Sequence, residues 1–213
     1  VTINDTANQF RNATAISITQ GGAASPYPST IDVTGTTGTF RVRVTLYDFY
    51  HALPDNAEVL LVSPNGAKYV LMGDVGGPVP ILENGHVTLT FSDFSPGVLP
   101  DGGPLMTGSY KPTTCGATPM ANFPGPAPVG PYVEPGCTVG RPNDKTLFGN
   151  FGGSSNGTWS LFIRDDAGAA RPFAPEVVLG EVKGGWGIEI LPSTAAGVEV
   201  SGRVLTPDGR GLR

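Results

Sequence analysis

Five aspartates carry the strongest chemical suggestion in this chain. Asp48, Asp55 and Asp74 stand at the ends of apolar runs, and Asp165-Asp166 closes another. Carboxylates on loops, next to backbone carbonyls, are hard oxygen donors of the kind that hold Ca²⁺. Mg²⁺ demands stricter geometry and Zn²⁺ prefers nitrogen and sulfur, so Ca²⁺ is the expected cofactor. Glu58 and Glu83 are candidate additions, and Asp93 with Asp101 forms a further pair on a long loop. Aspartate is also an ordinary turn residue, so a set of solvated turn aspartates is the competing reading. No Asp-x-Asp-x-Asp-Gly loop is present.

The residues that could run acid–base or nucleophilic chemistry are sparse. His51 and His86 are the two histidines, and neither a Gly-x-Ser-x-Gly nor a His-Glu-x-x-His pattern occurs. His86 opens an alternating run opposite Val87 and reads as a solvated surface residue. His51 lies between two apolar runs and reads as a hydrogen-bonding brace for its loop. The expectation is a protein that is not an enzyme. Cys115 and Cys137, the only cysteines, bracket a Pro/Gly-rich segment without a metal-binding Cys-x-x-Cys pattern. A disulfide is the reading, worth roughly 3 kcal/mol for a loop of that size, and it implies an oxidising compartment. The triplets at Asn4, Asn12 and Asn156 are compatible with export. Trp159 and Trp186 share strand faces with Leu161, Ile163, Ile188 and Ile190 and read as core. Tyr47, Phe49, Tyr50 and Tyr110 keep a sugar-stacking alternative open.

Strands must position all of these groups. Val59 to Val62 and Val70 to Met72 flank Ser63-Pro64-Asn65-Gly66, a hairpin turn signal. Both runs are apolar at consecutive positions, which places them mid-sheet with both faces covered. Phe40, Val42, Val44 and Leu46 alternate with Arg41, Arg43 and Thr45, a half-buried strand. Val87, Leu89 and Phe91 form another. Ala15–Ile18, Thr30–Val33, Thr146–Phe148, Thr158–Arg164 and Gly185–Leu191 complete the strand candidates, enough for a sandwich of about eight strands. The fold class is all-β, an antiparallel jelly-roll-like sandwich over residues 1–192. If the strand at 39–46 ends near Asp48, antiparallel wiring brings Asp48, Asp55 and Asp74 to one end of the sandwich. Residues 93–143 show little periodicity, and a loop of that length is expected to be stapled, functional or both. Residues 193–213 read as a linker and the first strand of a further β module, so the chain is expected to be part of a longer protein.

The 213 residues carry a net charge of −5 and no run of Lys or Arg, which argues against nucleic acid as a partner. No apolar run is long enough for a membrane helix. Glycine (31) and proline (21) make up about a quarter of the chain and fall between the apolar runs as turn punctuation.

These segments together resemble the P domain of subtilisin-like proprotein convertases and its bacterial relatives. The resemblance rests on His51-Ala-Leu-Pro-Asp55-Asn-Ala-Glu-Val-Leu-Leu-Val-Ser-Pro-Asn-Gly66, Leu71-Met-Gly-Asp-Val-Gly-Gly77 and Ser109-Tyr-Lys-Pro112. Phe151-Gly-Gly-Ser-Ser-Asn-Gly-Thr-Trp-Ser-Leu161, Asp165-Asp166 and Gly184-Gly-Trp-Gly-Ile188 extend it over residues 1–191. Asn56 and Glu58 stand where that family often has an aspartate and a second acidic residue. The tail from Val200 to Leu212 is similar to the start of a carboxypeptidase-regulatory-like domain. The resemblance implies a non-catalytic accessory, structural or adhesion module of a secreted or cell-surface multidomain protein. Its expected partners are neighbouring domains of a longer chain. The alternatives are a carbohydrate- or substrate-binding module recognising surface glycans, and a filament subunit that self-assembles through its terminal strand.

Overall fold

Alternation between apolar and polar side chains builds two stacked sheets. The computed structural model describes residues 8–116, 122–137, 146–166 and 178–192. Its strands are β1 (Asn8–Asn12), β2 (Ile16–Thr19), β3 (Ser29–Val33), β4 (Phe40–His51), β5 (Ala57–Val62), β6 (Lys68–Gly73) and β7 (Val87–Phe91). They continue with β8 (Gly108–Tyr110), β9 (Thr113–Thr114), β10 (Gly157–Asp165), β11 (Val178–Val182) and β12 (Trp186–Pro192). One sheet runs β1-β12-β4-β11-β2, with β7 and then β8 added on β4; the other runs β3-β10-β5-β6-β9. The fold is an all-β sandwich. Among the described strands, only β8 and β9 join their sheets in parallel.

Strand β4 is longer than the alternation predicts. The period-two pattern breaks at Tyr47-Asp48, which suggests an end at Leu46. Instead the register against β7 shifts between Leu46 and Phe49, and Asp48 takes a left-handed φ of 54°. This is a β-bulge: one extra residue resets the parity and returns Phe49 and His51 to the core face. Strands β12 and β11 follow one another along one side of β4, joined opposite the bulge at Lys183–Gly185. Gly185 has φ 68°, and a Cβ there would lie 2.1 Å from the Asn12 carbonyl oxygen, so the join needs glycine.

Between the sheets, Val44, Leu46, Phe91, Trp186 and Ile188 meet Val59, Leu61, Leu71, Trp159 and Ile163, all essentially without solvent contact. Each such side chain contributes about 1.5–3 kcal/mol by leaving water. Both tryptophans are core residues, as expected, and their indole N–H groups donate to Ser155 O and Ser29 Oγ at 2.9 and 3.0 Å. A second apolar cluster lies on the outer face of the five-stranded sheet. There Leu60, Val70 and Phe162 are covered by Phe123 and Ala127, with Tyr27 and Tyr132 against them. This cover explains why β5, β6 and β10 are apolar on both faces.

The covering segment, 122–137, ends at Cys137, which is bonded to Cys115 as expected. Within the long aperiodic stretch, β8 and β9 also form, and Leu99 and Leu105 enter the main core. The strand expected at Thr146–Phe148 is instead a helical turn, α1 (Leu147–Asn150). Asp93 caps it, its carboxylate accepting from Leu147 N at 2.8 Å. The expected strand at 198–205 lies outside the described residues, as does Asn4. Asn12 and Asn156 use their side-chain amides to hold neighbouring backbone: Nδ2 donates to Thr30 O at 3.0 Å and to Thr36 O at 2.7 Å, respectively.

Candidate functional site

The five aspartates separate into three places. Asp48 sits in the β4 bulge, exposed, with its carbonyl oxygen accepting from Lys183 N at 3.1 Å. It does not mark a strand end, because the bulge carries β4 on to His51. Asp55 lies in a single 3-10 turn (Pro54–Asn56) between β4 and β5. Asp166 follows β10, and its backbone N–H donates to Asn56 O at 2.9 Å, tying the two loops together. Asp74 follows β6 with φ 50°, and its carboxylate packs so closely on Gly116 that a Cβ there would lie 2.0 Å from Oδ2. Asp55, Asp74 and Asp166 thus share one corner of the sandwich.

Glu58 and Arg164 belong to the same corner. They are direct cross-strand partners on β5 and β10, and their side chains form an ion pair. Arg164 also lies over the Phe123 ring, 5.1 Å from its centroid, and donates to Asn122 O at 3.3 Å. Burial pushes Glu58 up to about 7, against the pull of Arg164 and with added repulsion from Asp166 and Asp74. Asp74 and Asp166 are also raised, first by partial desolvation and then by neighbouring carboxylates, with Arg164 opposing. The Arg164 guanidinium thus faces, among the described residues, the carboxylates of Asp55, Glu58, Asp74 and Asp166, with Asp101 adding repulsion on Asp74. Among the described residues, no three Asp, Glu, His or Cys side chains converge tightly enough to hold a metal ion.

Asp165 has a different setting from its neighbour. It continues the inward stripe Trp159, Leu161, Ile163 on β10 and is buried. One carboxylate oxygen accepts from Gly21 N at 3.0 Å; the other lies 3.3 Å from His51 Nε2. His51 is fully buried at the end of β4, and its Nδ1 lies 2.7 Å from the Leu53 carbonyl oxygen and 3.2 Å from Leu53 N. The histidine does brace its loop, and it also reaches across to the opposite sheet. Space for the ring exists because β11 carries glycine at its closest point: a Cβ on Gly180 would lie 2.2 Å from His51 Cδ2. Sequence reasoning missed this cross-sheet pair, although the parity of Asp165 with Trp159 was the available signal.

The aromatic candidates are also placed. Phe49 is fully buried, so it belongs to the core and not to a sugar platform. Tyr110 is partly buried against the same core. Tyr50 stacks on His86 at 5.0 Å, which makes His86 half-buried where a solvated residue was expected. Tyr47 lies under the Arg11 guanidinium at 4.0 Å. No helix among the described residues is long and apolar enough to cross a membrane.

No protein-family model matches the chain, and no curated protein matches it. Among solved structures it is similar to a crystal structure of the Aeromonas sobria serine protease and chaperone complex. The TM-score is 0.40 at 13% identity, and the match covers 87% of this chain and 26% of that one. The chain thus spans about a quarter of that protein, and likeness at this level carries no argument about activity.

Proposed function

We propose that this chain is a non-catalytic structural or adhesion module of a secreted or cell-surface protein, P-domain-like in its motifs. One observation carries the reading: the His–Asp pair, which could have served as a base and its orienting group, is sealed between the sheets. A general base must come within hydrogen-bond reach of a substrate proton, and a side chain with no solvent contact does not. The disulfide supports an oxidising, extracellular setting. The P-domain-like reading itself rests on the sequence motifs around His51, Asp74, Gly152 and Trp186. In the same reading, the case for Ca²⁺ is the carboxylate excess around Arg164 alone, since the described side chains there do not converge on a site for it. A melting temperature equal in calcium and in EDTA removes the ion from the account.

The test of the non-catalytic reading is turnover. The intact chain, offered ester, peptide and glycoside substrates, is expected to give no rate above buffer. A rate that disappears in a folded His51→Gln variant would overturn the proposal.

A further inference from the structure

The two outer faces of the sandwich differ. Residues 122–137 cover the outer face of the five-stranded sheet with apolar side chains, whereas the outer face of the seven-stranded sheet is polar among the described residues. Strand register assembles that face from scattered positions. Arg11, Gly187, Thr45, Thr90 and Ser109 are successive partners across β1, β12, β4, β7 and β8. That row is roughly 19 Å long at the usual spacing between strands. The neighbouring row holds Gln9, Glu189 and Arg43, and Arg41 follows beyond it on β4.

Three of the seven described Lys and Arg side chains therefore stand on one sheet face of an acidic chain. Two are held by aromatic rings. Arg11 lies over Tyr47, whose own ring rests against the Gly187 backbone, and it donates to Gly184 O at 2.9 Å. Arg41 lies 4.6 Å from the ring centroid of Phe94, which is 65% exposed. Arg43 is paired with Glu189 at 2.9 Å. Between them, the buried Thr45 hydroxyl bonds that of the half-buried Thr90 at 3.1 Å, and Ser109 beyond it is exposed. At the β1 edge the row opens into a cleft of about 510 Å³ shared with Thr30 and Asp32 of β3.

We propose that this face binds an anionic polysaccharide, its acid groups taken by Arg11 and Arg41 and its hydroxyls by Thr90 and Ser109, the solvent-accessible hydroxyls of the row. Guanidinium forks match carboxylate and sulfate geometry, and rings fixed beneath them reduce the ordering cost of binding. The charge is too sparse, and too interrupted by Glu189, for a phosphodiester backbone, which is normally met by a dense array of cations. The proposal deepens the adhesion reading by naming a ligand class and does not depend on the absence of catalysis: cleavage of a bound polysaccharide would end the non-catalytic reading and leave this one intact.

The test is affinity electrophoresis of the intact chain in gels containing polygalacturonate, a sulfated galactan or a neutral glucan. Duplex DNA and phosphatidylserine vesicles serve as competing polyanions. Retardation by polygalacturonate, the sulfated galactan or both, but not by the glucan, is expected, and which one is retarded identifies the acid group. The R11Q/R41Q variant should weaken binding about tenfold or more, and E189Q, which releases Arg43, should tighten it. If R11Q/R41Q does not fold, E189Q decides alone. Equal affinity for DNA or vesicles, no retardation by either acidic polymer, or unchanged binding in the deciding variant would overturn the proposal.

Discussion

Burial holds Glu58 up to about 7 although Arg164 lies against it, and this gives the fold a pH dependence with a definite sign. The folded value lies above the ordinary 4.5, so the folded state binds more protons between those two values. Its contribution to stability is full below about pH 4.5 and is lost as pH rises through 7. The raised Asp74 and Asp166 act in the same direction. Urea unfolding should show stability falling by about 3 kcal/mol from pH 4.5 to 8 through Glu58. Glu58→Gln should flatten much of that fall, and an unchanged slope would contradict the assignment. At this scale the sequence was partly legible. Antiparallel wiring was enough to bring Asp55 and Asp74 together. It misplaced Asp48 because a bulge adds a residue that periodicity alone does not show. Asp165 was grouped with Asp166 as a ligand, yet its place on the Trp159 stripe already pointed it inward.

The Cys115–Cys137 bridge anchors the end of a segment that covers a sheet face, so its loss should be felt beyond the loop. Phe162 meets Tyr27 at 5.0 Å, and Phe123 meets Tyr132 at 5.5 Å, both edge to face. Val70 N also donates to Val133 O at 2.9 Å. The C115S/C137S double variant should lose about 3 kcal/mol. It should also bind a hydrophobic dye as Leu60, Val70 and Phe162 become exposed. Wild-type melting with no dye binding would show that the cover holds without the bridge. Apolar residues on both faces of β5 and β10 foretold that something covers them. They did not reveal what, because residues 122–137 are ordered by side-chain to backbone bonds, such as Tyr132 Oη to Pro128 O at 3.0 Å, and not by a repeating pattern. Strand β1 escaped notice for a related reason: Phe10 is the sole apolar residue of an edge strand. Strand β11 was hidden by Gly180, the residue that makes room for His51.

Across the described molecule, the buried His51–Asp165 contact links the two sheets, and an arginine-bearing surface arises only through register. The chain has no run of Lys or Arg, yet β1 and β4 bring Arg11, Arg41 and Arg43 onto one face. Such a surface cannot be read from linear charge order. The account stands most directly on the His51–Asp165 pair, because that contact both closes the sandwich and removes the imidazole from solvent. A double-mutant cycle by equilibrium urea unfolding of His51→Gln, Asp165→Asn and the pair tests it. Each single variant should cost about 3 kcal/mol, as expected when one partner of a buried pair is removed. The double variant should cost less than the sum, with a coupling of about 2 kcal/mol. Additive effects, or single variants within about 0.5 kcal/mol of wild type, would contradict the claim that this pair is structural and buried.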